Sequence, residues 1–175
     1  MKCYSFKGKT PSIHKDAVVL DGVKIIGEVN IEAKANIWYN ATIRGDLAPV
    51  TIKEGANVQE LTAIHNDEPY PVEIGKYTTI GHGCIIHGAV IGDYCMIGMG
   101  STLLNGVVIP KGCLVGAGSL VTKGHDFEEG MLIVGRPAKA IRPVSEADKK
   151  YIIENGSHYA DLAQEYRTEV KLIED

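Results

Sequence analysis

The chain is poor in the features that mark several common protein classes. It has no Lys/Arg run: 18 basic residues stand against 22 acidic ones, with a net charge of −4 and a pI near 5.9. Nothing here suggests a nucleic-acid partner. No apolar stretch approaches the roughly 20 residues of a membrane span. The opening MKCYSFKGKTPS has no apolar core, so no signal peptide is expected. The four cysteines, Cys3, Cys84, Cys95 and Cys113, form neither a CxxC nor a disulfide-scaffold spacing, which predicts reduced thiols and a cytoplasmic protein. Aromatic residues make up only 6%, with one Trp and two Phe. Helix signals are missing until the last thirty or so residues.

What the chain has instead is glycine, 20 residues of it, and a period. Aliphatic residues recur every six positions at Ile13, Val19, Ile25, Ile31, Ile37 and Ile43. They resume at Ile52, Val58 and Ile64, again at Ile74, Ile80 and Ile86, and last at Ile91, Ile97, Leu103, Ile109, Val115 and Val121. The fourth residue after each is often small, as at Ala35, Cys84, Cys95, Ser101 and Cys113. Such a pattern, seen in IGEVNI, IGDYCM and VGAGSL, resembles the hexapeptide repeat and predicts an all-β fold. Each hexad is one flat side of a triangular coil. Its aliphatic residue points inward, its small residue fits the corner, and Gly or Asn takes the turn. Three hexads close a coil, and stacked coils pair as parallel strands about 4.8 Å apart. Left-handedness is implied by the resemblance; the usual crossover rule would give the opposite hand.

The interruptions carry information. Three residues are extra around Pro49, four are extra in NDEPYP after His65, and one is missing between Ile86 and Ile91. Insertions of this kind should bulge from a corner and leave the stack intact. After Val121 the repeat fades. Ser145 and Asp148 give a capping-box pattern, opening a C-terminal helix that runs to about Leu172, with Gly156 a candidate break. The expected organisation is one domain, 1–175, with a left-handed parallel β-helix over about 10–140 and a helical segment over about 145–172.

Subtracting the insertions puts Ile43, Ile64 and Ile86 at one position of successive coils. The residues that follow, Arg44, His65 and His87, then share a column. Backbones about 4.8 Å apart allow two imidazoles to reach one metal at roughly 2.0–2.1 Å. His82 follows Ile80 by two residues, on a neighbouring face above Glu60, and should not reach the other two within its own chain. Trimerisation about an axis parallel to the β-helix would bring it to another copy's His65 and His87. Three imidazoles with an open fourth position match a catalytic zinc, which would generate hydroxide at neutral pH. Gln59 is placed to orient that hydroxide, with Asn57 as helper. Arg44 with Asp46, and Glu60, would form a charge cluster at the subunit contact.

The combination R-x-D, N-x-Q and H-x16-H-x4-H, carried by Arg44, Asp46, Asn57, Gln59, His65, His82 and His87, resembles the gamma-class carbonic anhydrases. The likeness runs from near Thr10 to the C-terminal Y-x-x-L-A-x-x-Y of Tyr159–Tyr166. It implies a homotrimer holding zinc, or alternatively iron or cobalt, through His65 and His87 of one subunit and His82 of the next. It also implies hydration of carbon dioxide to bicarbonate by metal-bound hydroxide, with Tyr159 lining the pocket. The sequence departs from the usual pattern in three places. Glu60 stands where an aspartate is usual, Leu47 stands where active members carry a glutamate, and the loop after His65 is short, leaving Glu68 as the proton-shuttle candidate.

Plainer readings stand beside these. His14, His125 and His158 have no partners at matching spacing and read as surface residues. Tyr159 suits helix packing. Cys95 and Cys113, one coil apart, suit inert core thiols. Two other functions fit the repeat: a hexapeptide acyltransferase using an acyl-coenzyme A donor, which needs one histidine base and leaves the triad unexplained, and a trimeric metal-binding scaffold without turnover.

Overall fold

The computed structural model describes residues 1–173 and forms a left-handed parallel β-helix of about seven coils with one C-terminal helix. The hexads become short strands, most of them two or three residues long, separated by turns. Three faces result. The first stacks the opening halves of Lys24–Ile31 and Thr42–Ile52, then Ala63–His65, Ile85–His87, Thr102–Leu103 and Leu120–Val121. The second stacks the closing halves of those two long strands with Val72–Ile74, Val90–Ile91 and Val108–Ile109. The third runs from Val18–Val19 through Asn36–Ile37, Asn57–Val58 and Thr79–Ile80 to Leu114–Val115.

The six-residue period survives as register. Ile43 pairs with Ile64, Ile64 with Ile86, and Ile86 with Leu103, and all four side chains are at most 1% exposed. Burying each isoleucine contributes about 1.5–3 kcal/mol. Because the columns stack like on like, a one-residue slip would turn every aliphatic side chain out to solvent. The insertion around Pro49 lies within the single long strand Thr42–Ile52, which follows the corner from the first face to the second. The insertion after His65 forms a loop at the same corner.

Ser145 caps the helix α1 (Glu146–Glu169) through a complete capping box with Asp148. The helix crosses the third face over Val18–Val19, Asn36–Ile37, Asn57–Val58 and Thr79–Ile80. Gly156 does not break it. The residue is buried, and a Cβ there would collide with the Tyr77 carbonyl, so this glycine lets α1 approach the β-helix closely. Two boundaries differ from expectation. A strand at Lys2–Tyr4 extends the first face ahead of the repeat, and the closing segment is an antiparallel hairpin of Met131–Gly135 with Ala138–Pro143. The helix ends three residues before Leu172. Cys95 and Cys113 are free and buried, and burial pushes the Cys95 thiol up to about 12. Among the described residues, no helix is long and apolar enough to cross a membrane.

Candidate metal centre

His65 and His87 end adjacent first-face strands and are direct register partners. Their rings meet edge to face, centroids 5.0 Å apart, with His65 Nδ1 3.1 Å from His87 Nε2. Arg44 extends the column one coil further, since Ile43 pairs with Ile64. Its guanidinium donates to Asp46 Oδ2 at 2.6 Å, and the other oxygen of that carboxylate lies 3.1 Å from His65 Nε2. Burial alone would raise the Asp46 carboxyl, but hydrogen bonds from Arg44 and His65, with the Arg44 charge, hold it below its ordinary value. Asp46 is therefore an anion and an acceptor only, and the His65 nitrogen facing it carries the proton. The other nitrogen, Nδ1, then presents a lone pair towards His87. Burial also lowers the His65 pKa, against the pull of Asp46, which favours the neutral ring that a metal requires.

Two further groups hold this corner. Buried Asn66 accepts from the Ala48 amide at 3.1 Å and donates to the Ala48 and Pro49 carbonyls at 2.7 and 3.1 Å. It thereby fastens the Asp46 loop to the coil of His65. Lys9 reaches from the N-terminal segment to the carbonyls of Asp46 and Leu47, both at 3.3 Å. Asp67 lies close by: one ligand atom each from His65, Asp67 and His87 fall within 4.8 Å of one another. A neutral lone pair backed by an anion, with a second imidazole and a carboxylate at hand, fits a divalent transition metal.

His82 is elsewhere. It sits in the turn between the third and first faces, five residues before His87 at the far end of the strand. The ligand atoms that gather at this corner belong to His65, Asp67 and His87, and His82 is not among them. Its Nδ1 is 2.6 Å from Glu60 Oε2, so Glu60 pairs with His82 and not with Arg44. The His82 side chain is 48% exposed, against 19% for His65.

Gln59 and Asn57 lie on the third face beneath α1, on the His82 edge, and both are buried. Their hydrogen bonds run in one direction. Gln59 Nε2 donates to Asn57 Oδ1 (3.1 Å), Asn57 Nδ2 to Thr79 Oγ1 (2.8 Å), and the Thr79 hydroxyl to Asn155 Oδ1 of α1 (2.9 Å). Tyr159 packs edge-on against Trp38, centroids 5.4 Å apart. Burial raises its phenol pKa, and the nearby Glu60 charge adds to the shift. Glu68 is exposed in the loop after His65. Thus one chain gathers Arg44, Asp46, His65 and His87 at one edge of the first face, and Asn57, Gln59, Glu60, His82 and Tyr159 at the other.

Asp67, Asn66 and Asn105 were not anticipated. Asn105, whose Oδ1 lies 2.8 Å from His87 Nδ1, follows Leu104, the residue in line with His87 in the next coil, which is one residue short. The period therefore points to Leu104 instead, and an Asn at a corner reads first as a turn residue.

A parallel β-helix with an in-register histidine pair defines a class of hexapeptide-repeat proteins that carry a metal-type site. The profile of the bacterial transferase hexapeptide family (six repeats) matches residues 88–123. A carbonic anhydrase of Geobacillus kaustophilus is 40% identical, with 93% of each chain covered. Gamma carbonic anhydrase 1, mitochondrial, of Arabidopsis thaliana is 34% identical over 92% of this chain and 61% of its own length. A solved hexapeptide transferase family protein from Anaplasma phagocytophilum superposes with a TM-score of 0.90 at 35% identity, covering 94% of this chain and 97% of its own. The chain belongs to the gamma carbonic anhydrase family of hexapeptide-repeat proteins.

Proposed function

We propose that the protein is a metal-dependent carbonic anhydrase that interconverts carbon dioxide and bicarbonate in the cytoplasm, at a site completed by a second copy within a homotrimer. The observation that carries this reading is the convergence of His65 and His87 to 3.1 Å with the Asp46–Arg44 pair behind them. His82 is the third ligand, supplied by the neighbouring subunit. In support, the first face between the two edges exposes Ile85 and Leu104, and Leu61 stands exposed at its corner. An apolar strip of this kind suits a subunit contact.

When bound, the metal, zinc or else iron or cobalt, supplies Lewis acidity that brings the pKa of water towards 7. The chain's own residues do the rest. Asp46 keeps the His65 proton on Nε2, and Arg44 keeps Asp46 ionised. The one-way run from Gln59 to Asn155 commits the Gln59 amide nitrogen and leaves Oε1 to accept a hydrogen bond from the attacking water. Tyr159 narrows the pocket, and exposed Glu68 passes the released proton to solvent.

The test is metal content and stopped-flow carbon dioxide hydration on anaerobically purified protein. One metal per chain and hydration well above background are expected, with both lost in His82→Ala. Full metal loading with background hydration would instead mark a scaffold. Metal that stays substoichiometric after refolding with zinc would favour an acyltransferase, the reading to which the transferase name of the Anaplasma structure lends weight.

A further inference from the structure

The hydrogen bonds behind His87 have a direction, and it is set by Asp67, in the loop of the neighbouring coil. A carboxylate offers only acceptors, so the Asn105 group 2.9 Å from Asp67 Oδ2 is the amide nitrogen. With the amide so oriented, its oxygen faces His87 Nδ1 at 2.8 Å and must accept. A neutral His87 then carries its proton on Nδ1 and a bare lone pair on Nε2. Across the pair, Asp46 imposes the matching choice on His65, leaving Nδ1 bare. Two lone pairs thus face one another at 3.1 Å, which is repulsive unless a cation binds both from the side. Moving the proton of either ring to its other nitrogen would place an N–H in the gap and close the pair as an ordinary hydrogen bond.

We propose that Asp67 and Asn105 are positioning residues that fix the Nδ1–H tautomer of His87, aim its Nε2 at the metal position, and keep the histidine pair from closing on itself. The inference rests on the metal reading above for its binding consequence, though not for the tautomer. The four-residue insertion after His65 is what lets Asp67 reach up the column to Asn105, 38 residues on. Gly88 makes room for the arrangement, because a Cβ there would overlap Asn105 Oδ1. Partners of this kind typically govern about 10–100-fold of metal affinity.

The test reads histidine ring 15N shifts in metal-free protein, well above the ordinary imidazole range, and zinc affinity by competition with a chromogenic chelator. In the unaltered protein His87 should show a protonated Nδ1. Asn105→Ala should shift His87 towards a mixture of tautomers, leave His65 unchanged, and weaken zinc binding by about 10–100-fold. Asp67→Ala should do the same more weakly. The exchange of Asp67→Asn with Asn105→Asp retains an acceptor at His87 and a donor–acceptor pair between the two positions, and it should restore both readouts, which no general loss of stability would allow. A protonated Nε2 on His87 in the unaltered protein would overturn the proposal. So would Asn105→Ala binding zinc within about twofold of the parent, or an exchange variant no better than Asn105→Ala. If the parent binds no zinc, the metal reading fails on its own, and the tautomer measurements still decide the role of Asp67 and Asn105.

Discussion

The two edges of the first face are built to different degrees of completeness. At the His65–His87 edge the rings are partly buried, in register and hydrogen-bonded on their outer nitrogens. At the His82 edge one imidazole stands half exposed, held by Glu60 at 2.6 Å. On the proposed reading, a rigid pair of ligands and a single outlying one, separated by a strand, amount to two halves that one chain cannot join. The difference teaches where binding energy should reside in the proposed site: the paired edge would set affinity and geometry, and the lone histidine would make metal binding depend on assembly.

That contrast can be broken most severely from the paired edge. His65→Ala or His87→Ala removes a proposed ligand from the preorganised half, and metal content should fall to background with hydration following it. His82→Ala should also lose metal, while sedimentation shows the assembly intact. Next in size is the column that fixes the register. Ile64→Ala, one residue from His65 and fully enclosed, should cost about 2–5 kcal/mol by denaturant unfolding and loosen metal binding as the pair loses alignment. A smaller effect is expected behind the His82 edge. Gly156→Ala presses on the Tyr77 carbonyl and should cost about 1–3 kcal/mol by overpacking, disturbing the Gln59-to-Asn155 run and lowering turnover more than metal content.

The smallest effect concerns the helix cap and sharpens the comparison by sparing both edges. Backbone and hydroxyl hydrogen bonds from Ser145, then Arg142, hold Asp148 down to about 2. A depressed carboxyl stabilises the fold above the ordinary carboxylate pKa, and that contribution is lost as pH falls from about 4 to about 2. Asp148→Asn should flatten stability over that acid window, measured by thermal unfolding against pH, and leave neutral-pH metal binding unchanged.

Much of this is legible in the sequence. A six-residue period with countable insertions fixes register, so the His65–His87 column and the Glu60–His82 contact follow from arithmetic on the chain. What escaped was chemistry between coils. Asn66, Asp67 and Asn105 are polar corner residues, and corners are where turn propensity already explains Asn and Asp. Their roles depend on side-chain reach across loops that have no period. Gly156 misled for a related reason: helix propensity counts against glycine, while packing against Tyr77 demands it. The antiparallel closing hairpin also lies past the last repeat, where periodicity offers no guide.

Both insertions leave the stack at the corner where the histidine pair stands, and they deliver Asp46 and Asp67 to it. Lengthening such a bulge adds little closure entropy, about 0.6 kcal/mol per doubling, and leaves the ladder beneath undisturbed. That corner can therefore acquire, lose or replace the residues that govern its chemistry while the scaffold remains constant. Descendants of one fold can diverge in reactivity by editing a hem instead of reweaving the cloth.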